Sequence, residues 1–245
     1  IEINSHCNRA CSYCPNSVAE RIEKGEMDPE LYSCIIDQLV DIRFAGKIAY
    51  EFYNEPLLAK NFDRFLVEAR TKLPQTTIEL YTNGTLLTLK RFRSLLELGI
   101  NRFVVTKHEG IKNFAFDKTF AQLTESEKEL VLYRGHEDVI MTNRGGCVTA
   151  GPSSIPALTP CYIPEMSVTI TLLGNVLPCF EDFNQKLAMG NVKEKHLWDI
   201  WNTNKYRQFR EDLRRGLRHK HSPCNTCNRL VVLPDTIENM VKRHG

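Results

Sequence analysis

Between residues 28 and 142, apolar runs alternate with amphipathic stretches, and this alternation narrows the choice of fold further than any other feature. It is the pattern of repeated βα units, which set strands side by side in parallel and cover them with helices. Ile1–Ile3 is expected as an opening strand, with the natural start of the chain lying upstream of it. Asp28–Pro29–Glu30 starts a helix, Asp28 as N-cap and Pro29 in the first turn, with Leu31, Ile35, Ile36, Leu39 and Val40 on its apolar face. Further strands are expected at Ile48–Tyr53, Thr77–Tyr81, Arg102–Thr106 and Asp138–Thr142. Helices are expected at Phe62–Thr71, from Leu89 through Leu96 with Gly99 as the stop, and at Glu125–Tyr133. About five units fit before Cys161, whereas a closed eightfold barrel takes ~250 residues, so an α/β fold with a partial, open βα barrel is the economical architecture. Function in such folds gathers at the C-terminal ends of the strands.

Past Arg144 the texture changes, which divides the chain into a barrel at 1–146 and a smaller C-terminal domain at 147–245. The stretch from Gly145 to Pro160 is rich in Gly, Pro, Ser and Thr and reads as a connecting loop. Ser167–Leu172 and Val176–Cys179 flank Gly174–Asn175, a two-residue hairpin signal. Helices are expected at Leu197–Trp201 and Lys205–Leu217, and a metal-binding turn at Pro223–Cys227.

Charge and hydropathy exclude several partners. The 32 basic residues against 30 acidic give a net charge of +2, which carries no footprint for nucleic acid or an anionic membrane surface. No apolar run approaches the ~20 residues that span a bilayer, and no signal-peptide pattern is present. Nine cysteines without a secretion signal argue for metal ligation in a reducing compartment, hence a cytoplasmic protein.

Three of those cysteines, Cys7, Cys11 and Cys14, stand at C-x3-C-x2-C on a loop leaving the expected first strand. A [4Fe–4S] cube normally takes four thiolates, so three leave one iron open to an exogenous chelating molecule. That is the difference between a catalytic site and a closed one. The bland alternatives are a zinc knuckle, for which His6 is the only spare ligand, or buried thiols. Cys161, Cys179, Cys224 and Cys227 form a second set, complete for either zinc or a closed [4Fe–4S] cluster. Cys34 lies at the edge of a helical apolar face and reads as a small core residue.

The triplet, with Tyr13 just before its third cysteine, resembles the signature of the radical S-adenosylmethionine (SAM) enzymes, in which the open iron binds the amino and carboxylate groups of SAM. The resemblance implies a second [4Fe–4S] cluster on the four later cysteines, in a shortened SPASM or twitch domain built around a β-hairpin. Asn16–Ser17–Val18, Gly25–Pro29, Tyr81–Gly84, Asn143–Gly146 and above all Leu173–Lys186 resemble the members of that family that oxidise a secondary alcohol of an aminocyclitol to a ketone. It runs from Ile1 to Cys227. It implies hydrogen abstraction from the carbinol carbon by a 5′-deoxyadenosyl radical, proton loss to a ketyl radical, and an electron leaving through the auxiliary cluster. It further implies a place in antibiotic or secondary-metabolite biosynthesis, a small-molecule substrate and an external flavodoxin- or ferredoxin-like electron donor.

Residue by residue, the resemblance places Tyr13 near the SAM adenine, Asn54 and Glu55 near its methionine amino group, and Asn83 in the same site. It places Tyr53, Tyr81, Phe180 and Glu181 around the substrate, and Arg144 at the hydroxyl that loses its proton. Arginine is a poor general base, so stabilising developing alkoxide charge is the physically sounder role. Four positions depart from the pattern: Asn54 replaces a glycine, Lys107 and Glu109 replace uncharged residues, and Cys147 replaces an aliphatic one. The two charges suggest a different or more decorated substrate, or an ion pair with each other. A free Cys147 thiol donating a hydrogen atom would instead make the enzyme an epimerase. A closed-cluster electron carrier has no use for the open triplet. A peptide-modifying maturase usually carries seven C-terminal cysteines and an added recognition domain, so a small molecule is the expected substrate.

Overall fold

The computed structural model describes residues 1–110, 114–156 and 158–230. After the cysteine loop comes a short helix α1 (Pro15–Val18), then α2 (Pro29–Asp41) and β1 (Lys47–Tyr50). The βα alternation continues as α3 (Phe62–Lys72), β2 (Thr77–Thr82), α4 (Leu89–Glu97), β3 (Arg102–Thr106), α5 (Ala115–Phe120), α6 (Glu125–Glu129) and β4 (Val131–Arg134). These four strands form one parallel sheet in the order β1-β2-β3-β4. The C-terminal part holds α7 (Ile163–Met166), an antiparallel sheet of β5 (Thr169–Ile170), β6 (Asn175–Leu177) and β7 (Gly190–Asn191), then α8 (Leu197–Trp201) and α9 (Asn204–Arg214).

The local causes are those expected for α2: the Asp28 carboxylate accepts from the Glu30 and Leu31 backbone N–H groups, and Pro29 opens the helix. Leu31, Ile35, Ile36 and Leu39 are buried, together with Tyr32, whereas Val40 faces out. The Tyr32 hydroxyl meets the Tyr50 hydroxyl at 2.5 Å where α2 and α3 pack on β1. Gly99, at φ +103°, ends α4 against Arg70, whose side chain a Cβ there would strike.

Two strand expectations and one helix expectation are corrected. Ile1–Ile3 is extended but unassigned to either sheet: the Glu2 N–H donates to Ile170 and the Ile3 carbonyl accepts from Met27. Glu125–Tyr133 splits into a helix and a strand. The charged Glu125–Glu129 keeps a capping box from Thr124 and Glu127, while Val131–Arg134 pairs with the edge of β3 that a longer helix would leave bare. Asp138–Thr142 makes no strand; a 3-10 turn at His136–Asp138 precedes it. The barrel is therefore four strands wide and open. In the hairpin the turn runs over Thr171–Gly174 and not over the expected Gly174–Asn175: Gly174, at φ +93°, donates its N–H to the Thr171 carbonyl, and Asn175 already belongs to β6.

One buried apolar cluster continues across residue 146, joining Ile3, Ile35 and Phe62 to Ile170, Val176 and Leu213. Buried carboxylates tie the two halves as well. Glu23, 4 % exposed, accepts from the Thr171 hydroxyl, the Leu173 N–H and the Asn175 amide at 2.9–3.1 Å. Glu2 pairs with Arg21 and accepts from the Leu172 N–H. Among the described residues, no helix is long and apolar enough to cross a membrane.

Candidate active site

Three successive strand ends grip the loop that carries Cys7, Cys11 and Cys14. After β1, the Glu55 N–H donates to the His6 carbonyl at 2.7 Å. After β2, the Asn83 amide donates to Asn8 Oδ1 at 2.8 Å and lies 4.0 Å from the Cys7 sulfur. After β3, the Glu109 carboxylate accepts from the Ser12 hydroxyl and N–H, and its carbonyl accepts from Arg9. Tyr13 hydrogen-bonds His108 Nδ1 and packs 5.0 Å from the His136 ring. Burial, with Arg9 and Arg134 nearby, lowers His108 to about 4, so it is neutral at physiological pH and the tyrosine hydroxyl is the donor.

The three cysteines open onto a cavity of about 920 Å³, the upper end of the size that holds small molecules and room for a cofactor beside a second molecule. Tyr13 of the cysteine loop and Asn83, which bonds to that loop, line it together with Asn54; Tyr53, Tyr81, Arg144 and Phe180 form a further part of its wall. Tyr53 and Arg144 both hold left-handed backbones, at φ +59° and +49°, a strain tolerated where the surroundings over-determine it. The Asn54 side chain secures the first of these: its Oδ1 accepts from the Phe52 N–H at 2.8 Å, and its amide reaches Asn4. Gly145 secures the second, because a Cβ there would stand 2.7 Å from the Glu181 carbonyl.

Behind that part of the wall, Cys161, Cys179, Cys224 and Cys227 ring a second, smaller cavity. Four thiols around one space can hold a closed [4Fe–4S] cluster. Burial raises the Cys14 thiol to about 11 and Cys224 to about 12, and pushes up Cys7, Cys161, Cys179 and Cys227. Thiols like these give up their protons when a cationic cluster takes their place. Both cysteine sets therefore fit iron–sulfur clusters.

Several expected site residues turn out to be occupied elsewhere. Glu55 is fully buried, and its carboxylate takes the Thr82 hydroxyl, the Asn83 N–H and the Leu57 N–H, stapling two strand ends instead of facing the cavity. Lys107 and Glu109 do not pair with each other and line neither cavity. Lys107 reaches Asp117 at 3.2 Å, and Glu109 is spent on Ser12. Glu181 faces the smaller cavity, held by Thr142, Arg144 and Arg229. Cys147 lines neither cavity; its sulfur accepts from the Asn184 amide at 3.2 Å. Cys34 is half-buried and accepts from Gln38, with no role at either site. Arg229 was not foreseen: it lines both cavities, yet it lies beyond the last cysteine in a stretch without a motif.

An open triplet of cysteines at the strand ends of a partial barrel, with a second cysteine-ringed cavity behind, defines an enzyme that pairs SAM with two iron–sulfur clusters. The chain belongs to the radical SAM superfamily: that family model matches residues 1–110, and an iron–sulfur cluster-binding domain model, SPASM, matches 161–228. It is an oxidoreductase whose cofactors are two [4Fe–4S] clusters and SAM. It is 47 % identical over 232 residues, 95 % of this chain and 92 % of the relative, to an S-adenosyl-L-methionine-dependent 2-deoxy-scyllo-inosamine dehydrogenase from Niallia circulans. A Pyrococcus furiosus protein that modifies the cofactor of a tungsten-containing aldehyde ferredoxin oxidoreductase is 31 % identical, over 73 % of this chain and 51 % of its own length. The structure superposes on BtrN in complex with AdoMet and 2-DOIA with a TM-score of 0.89, at 48 % identity over 94 % of this chain and 92 % of that one. Against BtrN in an open conformation the TM-score is 0.75, at 42 % identity over 93 % and 90 %.

Proposed function

We propose that this enzyme oxidises a secondary alcohol of an aminocyclitol or related sugar-like molecule to a ketone in the large cavity. When bound, SAM and the N-terminal cluster supply the 5′-deoxyadenosyl radical that removes the carbinol hydrogen, and the second cluster takes the electron that remains. The observation that carries the reading is a pair of buried groups on the cavity wall with no partner among the described residues, Arg144 Nε and the Tyr53 hydroxyl. Buried polar atoms without partners are rare, and both residues line the cavity. The Arg144 guanidinium lies 5.8 Å from the Tyr53 ring centre, so the two present donors side by side. A substrate hydroxyl placed there accepts from both, and the arginine stabilises its oxygen as the proton leaves. Phe180 and Tyr81 close the apolar and polar flanks of the same space. In this reading Tyr13, Asn54 and Asn83 form the cofactor side of the cavity, with the SAM site over the triplet.

The 47 % relative supports the substrate class. The electron donor in this reading is a small flavodoxin- or ferredoxin-like protein. Cys147, outside both cavities, is poorly placed to return a hydrogen atom, which favours dehydrogenation over epimerisation. The test is anaerobic incubation of reconstituted enzyme with SAM, reductant and a panel of aminocyclitols. Product lighter by two hydrogens supports the proposal. A product that has lost no hydrogens and carries one non-exchangeable deuterium when formed in heavy water, and that is lost in Cys147→Ala, contradicts it.

A further inference from the structure

Glu181 is 2 % exposed and stands between two arginines that reach it unequally. Arg229 Nη1 donates to its Oε1 at 2.8 Å, whereas Arg144 Nη1 comes no nearer than 3.5 Å to the same oxygen. The Thr142 hydroxyl, with a single proton to give, lies 3.0 and 3.1 Å from the two oxygens. Arg229 is itself fixed over the Phe180 ring, 4.9 Å from its centre. Arg144 is left beside the large cavity with its Nε lacking a partner among the described residues.

A buried carboxylate draws any nearby guanidinium into a short, two-pronged pair, because an uncompensated buried charge is costly. Here one arginine makes the short contact and the other does not. We propose that Arg229 is a positioning residue: by neutralising Glu181 it keeps Arg144 from closing on that carboxylate, so the Arg144 guanidinium stays free for the substrate oxygen. The inference rests on the role proposed above for Arg144. Without Arg229, Arg144 is, among the described residues, the remaining cation in contact with Glu181 and collapses onto it, removing the donor from the substrate.

The experiment uses cluster-loaded enzyme with Arg229→Gln, Arg229→Lys, Glu181→Gln, Arg144→Gln and the double change Arg229→Gln/Glu181→Gln. Ketone formation at saturating substrate, substrate Kd by calorimetry and SAM cleavage are measured for each. Arg229→Gln is expected to slow ketone formation on the order of 10- to 100-fold, the loss that follows a misplaced group. It should weaken substrate binding several-fold and leave SAM cleavage intact, and Arg229→Lys should recover most of the loss. The double change should return to the rate and Kd of Glu181→Gln alone, because no carboxylate is left to capture Arg144; a merely structural role gives additive losses instead. Parental behaviour of Arg229→Gln, or a double variant no better than Arg229→Gln, overturns the inference. If Arg229→Gln does not fold, Arg229→Lys decides: a rate and Kd near the parent's support it, and a loss as large as that of Arg144→Gln overturns it. Arg144→Gln at the parental rate sinks the reading of Arg144 itself, whereas an inactive Arg144→Gln beside an unaffected Arg229→Gln sinks only the inference about Arg229.

Discussion

The Glu109 carboxylate, just past β3, accepts the Ser12 hydroxyl at 3.0 Å and the Ser12 N–H as well, so one side chain from the barrel rim pins the middle of the cysteine loop. Those bonds also hold its carboxyl below the usual carboxylate range. Ser12 lies between Cys11 and Cys14, so this contact bears directly on how well the loop keeps its shape.

Glu109→Ala is therefore expected to loosen the N-terminal cluster and leave the other alone. The optical band of the reconstituted enzyme under a chelator should bleach in two phases, the first several-fold faster than in the parent. Identical bleaching in the two proteins would show that the contact is incidental.

Iron content follows from the three-plus-four partition of ligands. The parent should carry about eight irons per chain and the triple change Cys7→Ala/Cys11→Ala/Cys14→Ala about four, with SAM cleavage abolished. Zinc recovered from anaerobically prepared protein at the second set of cysteines would contradict the assignment.

The two half-reactions should separate in Cys224→Ala. Reductive SAM cleavage needs only the N-terminal cluster and should persist, while ketone formation should stop for want of an electron acceptor. A folded variant that still makes ketone means the electron leaves by another route; circular dichroism distinguishes that outcome from unfolding.

Acid sensitivity has a definite sign at His108. Its folded pKa of about 4 lies below the ordinary value of 6.5, through burial first and then Arg9 and Arg134. Between those values the unfolded chain binds the extra proton, so the contribution to stability is full above about 6.5 and is lost as pH falls towards about 4. His108→Asn should flatten that part of the melting-temperature profile. A slope unchanged by the substitution would mean that other groups control it.

Much of the fold was legible because local signals agreed with the global pattern. Asp28–Pro29 capped α2 as its chemistry requires, and the C-x3-C-x2-C triplet stood out by its spacing. The failures are tertiary. Val131–Arg134 reads as the end of a helix until the bare edge of β3 is there to receive it. Lys107 and Glu109 read as substrate contacts or as an ion pair, but the backbone sends them to Asp117 and Ser12. Glu55 and Glu181 carry the right chemistry for substrates or cofactors, yet internal donors consume it, and no sequence pattern reports which donors fold nearby. Arg229 is invisible for the complementary reason: its importance is a matter of which two cavities it divides.

The Glu23 carboxylate has a consequence for how such an enzyme can be dissected. Its three donors all come from the hairpin segment, more than 140 residues downstream. A protein cut after residue 146 would keep the carboxylate and lose every one of those donors, along with the Leu172 N–H that serves Glu2. The cut would also lay open the apolar cluster that Ile3 and Ile35 share with Ile170, Val176 and Leu213, and an exposed apolar patch is an aggregation liability. Shuffling the barrel onto a foreign C-terminal module would first require redesigning the segment between Cys14 and Asp28 to suit new donors.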